Sequence, residues 1–383
     1  MKKIRMILLM CTIIFSIGGI AYADDDAAKI VEITSNDSIN NENSLYLIKR
    51  AVKCGYINNK GEIVIQPQFE EAYDFSEGSA IIFDKTSRRY AYIDNTGKQI
   101  TEFKFADAMD FSDGMALVSV MEGDQKKWGY INRSGEMVIK LDKPFGGYLH
   151  SFSEGLAAVP VSVGEGNKME TKYGFIDKQG NMVIEAKYAF AAKFTEGLAP
   201  VRMDTYGKYR YINKQGETVI EDKFNIAYDF SEGIAKVAVM ESGLFKYGYI
   251  NKQGETIIEP KYSKAGNFSE GVAIVSMDAW GDDLSIIDST GKTIANTKYK
   301  IFDDGQHFSE GLLGVSWQES FETPPYMKYH VGYIDKNGQF KIKYTDTSTV
   351  GFGDARDFKD GVALFNSYYI DKQGNKIADY IKY

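Results

Sequence analysis

Apolar and polar residues alternate singly along most of this chain, and the alternation belongs to a compound pattern that recurs nine times. The clearest copy reads Lys-Tyr-Gly-Tyr-Ile-Asn-Lys-Gln-Gly-Glu-Thr-Ile-Ile-Glu-Pro-Lys-Tyr over residues 246–262, followed by Phe-Ser-Glu-Gly-Val-Ala-Ile-Val over 268–275. Single alternation places successive side chains on opposite faces of a strand, whereas a helix needs apolar residues at steps of three and four. The pattern therefore predicts an all-β protein built from tandem repeats.

Two glycines mark the repeats, one in all nine copies and a second, which closes Phe-Ser-Glu-Gly, in eight of them. The first ends the Tyr-Gly-Tyr-Ile-Asn-Lys-Gln-Gly run, and its successive copies lie mostly 36 to 38 residues apart, with two longer steps of 45 and 47. The long steps are ordinary repeats that carry an insertion. The copies of this first glycine are Gly61, Gly97, Gly135, Gly180, Gly216, Gly254, Gly291, Gly338 and Gly374.

Each repeat predicts three strands. The first strand follows Phe-Ser-Glu-Gly and carries a small and then a β-branched residue on one face, as Ala235 and Val237 do. The second strand is the Tyr-Gly-Tyr-Ile run, whose small residue we expect to leave room for a ring of the next repeat. An Asn or Asp then opens a tight turn that a glycine closes, and a third strand follows. The Phe-x-x-Ala-x-x-Phe spacer after it fits either an irregular connection or a weak fourth strand.

The arrangement of the repeats follows from the need to bury apolar faces between neighbours. Residues 45–383 form a single repeat domain of about nine three-strand units, with no obvious polar caps. Because a closed ring has no open ends to protect, the sequence favours a closed, β-propeller-like array. The alternative is an open or curved β-repeat array, since propellers typically have about four to eight blades of four strands.

The N-terminal segment reads as an export signal. Lys2, Lys3 and Arg5 precede an apolar stretch, and Ala-Tyr-Ala ends the segment at Ala23, which predicts cleavage there. The apolar stretch is shorter than the roughly 20 residues that span a bilayer. We therefore expect residues 1–23 to be removed, residues 24–44 to form a polar flexible leader, and the protein to be secreted or to reside in the periplasm or cell envelope.

The compound pattern resembles the WG-repeat family of bacterial exported proteins. The resemblance rests on Trp128-Gly-Tyr-Ile-Asn-Arg-Ser-Gly, on its Tyr-Gly-Tyr-Ile siblings, and on the Phe-Ser-Glu-Gly-Leu-Ala-x-Val run downstream. It covers roughly residues 45–380. Tyrosine usually stands where the family has tryptophan, so this chain looks like a divergent member. The resemblance implies a β-repeat fold and an extracytoplasmic location, and it implies little about activity.

The net charge limits the classes of partner, and the cysteine content limits the possible disulfides. The net charge is −8, and removal of the signal makes the chain more acidic. An acidic protein is poorly suited to nucleic acid or anionic lipid, whose binding depends on Lys and Arg. After cleavage Cys54 is the one remaining thiol, so no internal disulfide is possible. We expect a monomer with no nucleic-acid partner and no stable membrane insertion.

Candidate chemistry is sparse. Acids occupy the third position of Phe-Ser-Glu-Gly in eight repeats, where they form either a cation-binding circle or ordinary polar turn residues. The histidines His150, His307 and His330 lie in different repeats and lack the clustered spacing of metal ligands, so no metal and no cofactor is expected. A pair of carboxylates for glycoside cleavage has no recognisable sequence signature, and this leaves an enzyme as the alternative.

The longest insertion is the best candidate site. It runs over residues 317–329 between a first and a second strand, and exposed aromatic residues on loops of a rigid scaffold are a common means of binding. We predict that Trp317, Phe321, Tyr326 and Tyr329 contact a ligand, with the insertion at 143–150 as a weaker second candidate. The sequence thus favours a secreted non-catalytic scaffold that binds protein or envelope glycan. The alternative is a polysaccharide hydrolase or lyase with carboxylates on one face of the array.

Overall fold

All regular secondary structure is antiparallel β-strand in the computed structural model, which describes residues 4–5, 32–33, 44–50, 52–141, 148–164, 169–278, 283–300, 307–319, 328–344 and 355–380. The all-β prediction is therefore confirmed. Apart from 4–5, 32–33 and residue 44, the predicted signal and leader lie outside the described residues. In the part of the chain that is described, no helix is long and apolar enough to cross a membrane.

The strands follow the repeats in chain order. A two-residue pair, β1 (Ile4–Arg5) and β2 (Glu32–Ile33), comes first. Repeats 1 to 4 contain β3 (Leu45–Arg50), β4 (Lys53–Asn58), β5 (Ile63–Phe69); β6 (Glu71–Ala72), β7 (Ser79–Asp84), β8 (Arg89–Asp94); β9 (Phe105–Ala108), β10 (Met115–Glu122), β11 (Gln125–Asn132), β12 (Met137–Lys140); β13 (Leu156–Val163), β14 (Glu170–Asp177) and β15 (Met182–Tyr188). Repeats 5 to 9 contain β16 (Phe190–Ala191), β17 (Ala199–Arg202), β18 (Tyr209–Ile212), β19 (Thr218–Phe224); β20 (Ile226–Ser231), β21 (Ile234–Glu241), β22 (Leu244–Asn251), β23 (Thr256–Tyr262); β24 (Lys264–Ala265), β25 (Val272–Ser276), β26 (Leu284–Asp288), β27 (Thr293–Thr297); β28 (Leu313–Glu319), β29 (Lys328–Ile334), β30 (Phe340–Tyr344); β31 (Val362–Phe365), β32 (Tyr368–Asp371) and β33 (Lys376–Asp379).

The spacer supplies a fourth strand in several repeats. In repeats 5, 6 and 7, the short strands β16, β20 and β24 pair with the strand that follows Phe-Ser-Glu-Gly, which gives four-stranded sheets. In repeats 8 and 9 single bridges take this place, Lys300 with Ser316 and Ala355 with Phe365. The three-strand prediction is therefore incomplete for these repeats. The spacer repeats its apolar residues at every third position, which does not predict a strand. The fourth strand has no alternation of its own because only a few spacer residues pair before the chain turns.

The turn after each second strand forms as its residues predict. In repeat 6 the Asn251 side-chain oxygen accepts hydrogen bonds from the backbone N–H groups of Gln253 and Glu255, at 3.0 and 2.9 Å. Gly254 closes the turn at φ +78°, a left-handed conformation that favours glycine.

The small residue of the Tyr-Gly-Tyr-Ile run has a different role from the one expected. A Cβ at Gly248 would lie 2.5 Å from the carbonyl oxygen of Ile258 and 2.6 Å from the nitrogen of Pro260. Both atoms belong to β23 of the same repeat, where the register shifts on either side of Tyr249. The glycine thus admits a bulged third strand of its own repeat rather than a ring of the next one.

The chain divides into two compact units, each described by itself. The central unit is Phe105–Ser348, which holds repeats 3 to 8, and the terminal unit combines Met1–Lys104 with Thr349–Tyr383.

Within the central unit, the core lies between consecutive repeats. The ring of Tyr249 in repeat 6 is fully buried and packs edge-on against Phe268 in repeat 7, with centroids 4.9 Å apart. Its hydroxyl donates a hydrogen bond to the carbonyl oxygen of Gly266, at 2.7 Å. Tyr211 makes the equivalent contacts with Phe230 and the Tyr228 carbonyl. In repeats 5 and 6 the aromatic residue of the second strand therefore joins its repeat to the next one.

The Phe-Ser-Glu-Gly turn forms a second set of contacts between repeats. The Glu154 carboxylate of repeat 4 accepts a hydrogen bond from the Gly197 N–H of repeat 5 at 3.0 Å, and the Lys214 ammonium lies 3.1 Å away. The Ser153 hydroxyl donates to the carbonyl oxygen of Phe194 at 2.7 Å. Glu154 itself has φ +53°. We call this set of contacts the acid clasp.

The acid clasp recurs along the central unit. Each acid accepts a hydrogen bond from the glycine N–H of the next repeat, and most also contact a lysine of that repeat. The sets are Asp113 with Gly155 and Lys178, Glu196 with Gly233 and Lys252, Glu232 with Gly271, and Glu270 with Gly311 and Lys336. These turn acids therefore form contacts between repeats, which neither the cation-circle nor the polar-turn interpretation predicted.

The acid clasps predict loss of stability in acid. Burial acts to raise the pKa of the Glu154 and Glu270 carboxyls, but the adjacent lysine and backbone N–H groups outweigh it and lower each pKa. A carboxyl with a lowered folded-state pKa contributes stability above its unfolded pKa, and the contribution is lost as pH falls through the folded pKa. We expect the free energy of unfolding to fall as the pH drops below about 4.

Urea unfolding from pH 7 to 3 measures this effect. Glu154→Gln should cost about 1 kcal/mol at pH 7, since the pair is partly exposed, and should reduce the pH dependence. A Glu154→Gln variant with the same pH dependence as the natural protein would contradict the role of the clasp.

The terminal unit joins the first repeat to the last. The Tyr369 hydroxyl of repeat 9 donates to the carbonyl oxygen of Leu47 in repeat 1, at 2.8 Å, and its ring packs against Tyr46 with centroids 5.5 Å apart. The backbone N–H of Lys49 donates to the carbonyl oxygen of Tyr380, at 3.2 Å. Asp360 accepts a hydrogen bond from the Ser44 hydroxyl. Repeat 9 thus contacts repeat 1 through the same kinds of group that join consecutive repeats of the central unit.

Candidate binding surface

The two ends of each sheet differ in chemistry. The turn end holds the Phe-Ser-Glu-Gly turns and the Asx turns, whose polar groups are used in the acid clasps and in local hydrogen bonds. The tip end holds the hairpins between the first and second strands. In the central unit these tips span residues 122–125, 163–170, 202–209, 241–244, 276–284 and 319–328.

Exposed apolar side chains collect at or beside the tips. Tyr206 is 96% exposed, Leu244 64% and Met277 62%, and they belong to three consecutive repeats, 5, 6 and 7. Met121, Met169, Met203, Met240 and Phe245 are also exposed at or beside tips. Other exposed apolar side chains lie away from the tips: Val64, Tyr73, Phe103, Met109, Val138, Tyr148, Met182, Val183, Val219 and Ile294. Among the described residues, no large apolar side chain that is exposed lies in a Phe-Ser-Glu-Gly or Asx turn. The tip end therefore presents an apolar surface that a partner can cover.

Trp317, the first of the predicted site residues, lies at the tip end of repeat 8. Its ring stacks on His330 with centroids 5.0 Å apart and an interplanar angle of 17°. It also contacts Phe340 and Tyr299, at 4.6 and 6.0 Å between centroids. The Lys343 ammonium lies 5.4 Å from its centroid. The ring thus packs on its own sheet and remains partly exposed.

The structure describes the other three predicted site residues only in part. Phe321 and Tyr326 lie outside the described residues, and Tyr329 is described only as backbone of β29, paired with Gln318. The structure therefore does not bring the four predicted residues together as a set. Their role in binding stays a prediction.

A second aromatic group, which the sequence did not single out, lies between repeats 4 and 5. Tyr173, Phe190 and Tyr209 form a row, with centroids 6.5 Å apart for the first pair and 5.6 Å for the second. His150 extends the row at 6.3 Å from Tyr173, and Arg202 closes it at the other end. We call these five residues the aromatic row. Strand pairing creates it, because Phe190 faces Arg202 and Arg202 faces Tyr209 in the register of repeat 5.

Two polar atoms of the aromatic row have no hydrogen-bond partner among the described residues. They are Nε of Arg202 and Nε2 of His150, and both are buried. Burial lowers the pKa of the His150 imidazole, which keeps the ring neutral near pH 7. The guanidinium carbon of Arg202 lies 5.2 and 6.0 Å from the centroids of Tyr209 and Phe190, so cation–π contacts hold it in place.

Sequence reasoning could have found part of this row. His150 ends the weaker candidate insertion at 143–150, of which residues 143–147 lie outside the described part of the chain. In the sequence, Arg202 is recognisable only as a charged residue at the end of a strand with alternating apolar and polar positions. No sequence pattern shows which rings lie opposite it, because that depends on register.

Metal chemistry has no support in the described residues. Within those ranges, no group of three or more His, Cys, Asp or Glu side chains is placed to hold a metal ion. The Cys54 thiol is buried, and burial raises its pKa, which disfavours the reactive thiolate.

Comparison with protein families gives one match. The model described as "WG containing repeat" matches residues 55–83, 90–121, 128–142, 173–209, 209–239 and 247–279. These six segments fall within repeats 1 to 7 and include the tip at 202–209. The tips at 122–125, 163–170 and 241–244 lie between the matched segments. Comparison with curated proteins gave no match.

Comparison with solved structures gives likenesses of fold. A eukaryotic initiation factor is 12% identical with a TM-score of 0.57, over 87% of this chain and 95% of that chain. BamB from Moraxella catarrhalis is 13% identical with a TM-score of 0.41, over 74% and 96%. The β-propeller domain of the Trilobed protease from Pyrococcus furiosus is 12% identical with a TM-score of 0.38, over 63% and 88%. The first likeness concerns the fold alone, and the other two are weaker still.

Proposed function

Because the chain belongs to the family of WG-containing repeat proteins, we propose that it is a secreted, non-catalytic scaffold that binds a protein or an envelope glycan through the tip ends of its sheets. One observation carries the proposal. The polar groups at the turn ends form contacts between repeats, whereas the tip ends of repeats 5 to 7 carry the exposed side chains of Met203, Tyr206, Met240, Leu244 and Met277. A rigid scaffold with variable exposed tips is suited to recognition.

The proposal includes closure of the array into a propeller-like ring. Tyr369 contacts repeat 1 as Tyr249 contacts the next repeat in the chain, with a hydroxyl-to-carbonyl bond and a ring contact. The Tyr380 carbonyl accepts from Lys49 on β3, at the edge where other repeats have their spacer strand. These contacts support a scaffold in which the last repeat follows onto the first, as a closed ring requires.

Retention of an envelope extract tests the binding role. The secreted form (residues 24–383) is immobilised beside a tip variant, Met240→Ser, Leu244→Ser and Met277→Ser. A matched control, Val138→Ser, Val183→Ser and Val219→Ser, removes three exposed apolar side chains from the outer strands instead. We expect the natural protein and the control to retain the same component, and the tip variant to lose most of it.

Other results would redirect the proposal. A further variant with residues 318–328 replaced by a Gly-Ser linker tests the predicted Trp317 site by the same retention. Equal loss in the outer-strand control would place the site on the repeat faces. No retention by the natural protein, together with release of product from a panel of polysaccharides, would overturn the scaffold in favour of the hydrolase or lyase alternative.

A further inference from the structure

We infer that the aromatic row is the anchor for a protein partner, and that Arg202 receives an Asp or Glu carboxylate of a segment whose neighbouring side chains are apolar. The inference rests on the proposed function and adds to it the chemistry of the partner. It assigns the contact to the aromatic row and to the tips of repeats 5 and 6.

The first step is the state of the Arg202 guanidinium. Its Nε is buried and has no hydrogen-bond partner among the described residues, where the guanidinium contacts the rings of Phe190 and Tyr209. Charged groups on the neighbouring strands do have partners. Arg210 contacts Asp222 through Nε at 2.7 Å, and the Lys236 ammonium donates to the Ala265 carbonyl at 2.7 Å. A buried guanidinium donor without an acceptor is costly. Arg202 as a whole is only half-buried, and a carboxylate that binds its guanidinium would offset this cost.

The second step is the preorganisation of this cation. Phe190 and Tyr209 are its direct cross-strand neighbours, and their rings hold the guanidinium on one face of the sheet. An arginine that is already fixed loses less side-chain entropy on binding than a free one. Arg, Tyr and Trp are also the residue types that dominate binding energy at protein interfaces.

The third step is the surface beside Arg202. Its own hairpin carries Met203 and the almost fully exposed Tyr206, and the next tip carries Leu244 and Phe245. Flexible methionine and leucine side chains adapt to the apolar side chains of a polypeptide. Stacking on a sugar needs open ring faces, yet Tyr173 is 7% exposed and Phe190 is only partly exposed. The surface therefore fits an acidic and apolar polypeptide segment better than a glycan.

A bead-displayed library of random dodecapeptides, sorted on the secreted protein, is the probe. We expect enriched peptides to carry Asp or Glu beside apolar residues. Their affinity should fall at least tenfold for Arg202→Gln, and also when the peptide acid is changed to its amide. Arg202→Lys should recover part of the loss, because it restores the charge without the bidentate geometry.

Arg210→Gln is the matched control, because it removes an arginine from the adjacent strand of the same sheet. It should leave peptide affinity within about twofold, since its guanidinium already has a partner. Urea unfolding of each variant separates lost binding from lost folding. Polygalacturonate in a parallel arm tests the glycan reading.

Each contrary result has a distinct meaning. No enrichment of acidic peptides, or equal affinity of Arg202→Gln, overturns the inference, as does binding of polygalacturonate in place of peptides. If the tip variant loses the envelope component while Arg202→Gln retains it, the inference is wrong and the proposed function stands. If all variants retain that component equally, the proposed tip-end function fails as well.

Discussion

Tyr249→Ala is expected to lower the free energy of unfolding by about 3–5 kcal/mol, the range for removal of a large buried aromatic side chain. The ring is fully buried between repeats 6 and 7, where it packs on Phe268 and bonds to the Gly266 carbonyl. Alanine leaves a cavity in that core and an acceptor without its donor. Urea denaturation followed by tryptophan fluorescence or far-UV circular dichroism measures the change.

Two variants separate the parts of this effect. Tyr249→Phe keeps the ring and removes the hydroxyl, so we expect a loss of about 1–2 kcal/mol. Tyr206→Ala removes a tyrosine that is 96% exposed and should change stability by less than about 0.5 kcal/mol. A Tyr249→Ala variant no less stable than Tyr206→Ala would show that the contact between repeats 6 and 7 does not stabilise the array.

Gly254→Ala is expected to have the second largest effect, about 2–5 kcal/mol. Two costs combine at this position. The backbone has φ +78°, which costs an L-residue about 1–2 kcal/mol, and a Cβ would lie 2.8 Å from Cγ2 of Ile220 in the preceding repeat. Overpacking of that kind adds about 1–3 kcal/mol. Comparison of urea midpoints, at unchanged slope, gives the total.

Gly271→Ala is the matched control. Gly271 has almost the same backbone conformation, φ +80°, but no atom lies within 4 Å of the position its Cβ would take. It should therefore show the backbone cost alone, about 1–2 kcal/mol. The difference in free energy of unfolding between the two variants measures how closely the Asx turn of repeat 6 packs against Ile220 of repeat 5. Equal losses would mean that Ile220 moves aside without cost.

Local structure was largely predictable from sequence. The alternation around Ala235 and Val237 predicted the first strand of repeat 6, and Asn251 with Gly254 predicted the turn after the second, because both depend on neighbours within a few residues. The spacer strands were left open, since pairs as short as β16 and β24 have no period to detect. The role of Gly248 was misjudged because the close approach comes from a bulge in β23.

The candidate site was less predictable. The insertion after Trp317 stood out as a long aromatic loop, and the structure describes only its first ring, packed on Phe340 and His330. The aromatic row had no comparable signal. Arg202 and Phe190 are 12 residues apart in sequence, and they meet only because β16 and β17 pair in one register. A shift of one residue would turn Arg202 to the opposite face.

The sequence by itself determined the class and the period of this protein. Alternation, Asx turns and paired glycines are local signals, so a nine-fold β repeat could be read directly from the chain. Only the tertiary structure decided what the shared residues do. It turned a row of acids such as Glu154 into clasps between repeats, and it placed Arg202 against two rings without an acceptor. The physical reason is that hydrogen bonds and ring contacts between sheets depend on register and packing distance, which no single repeat encodes.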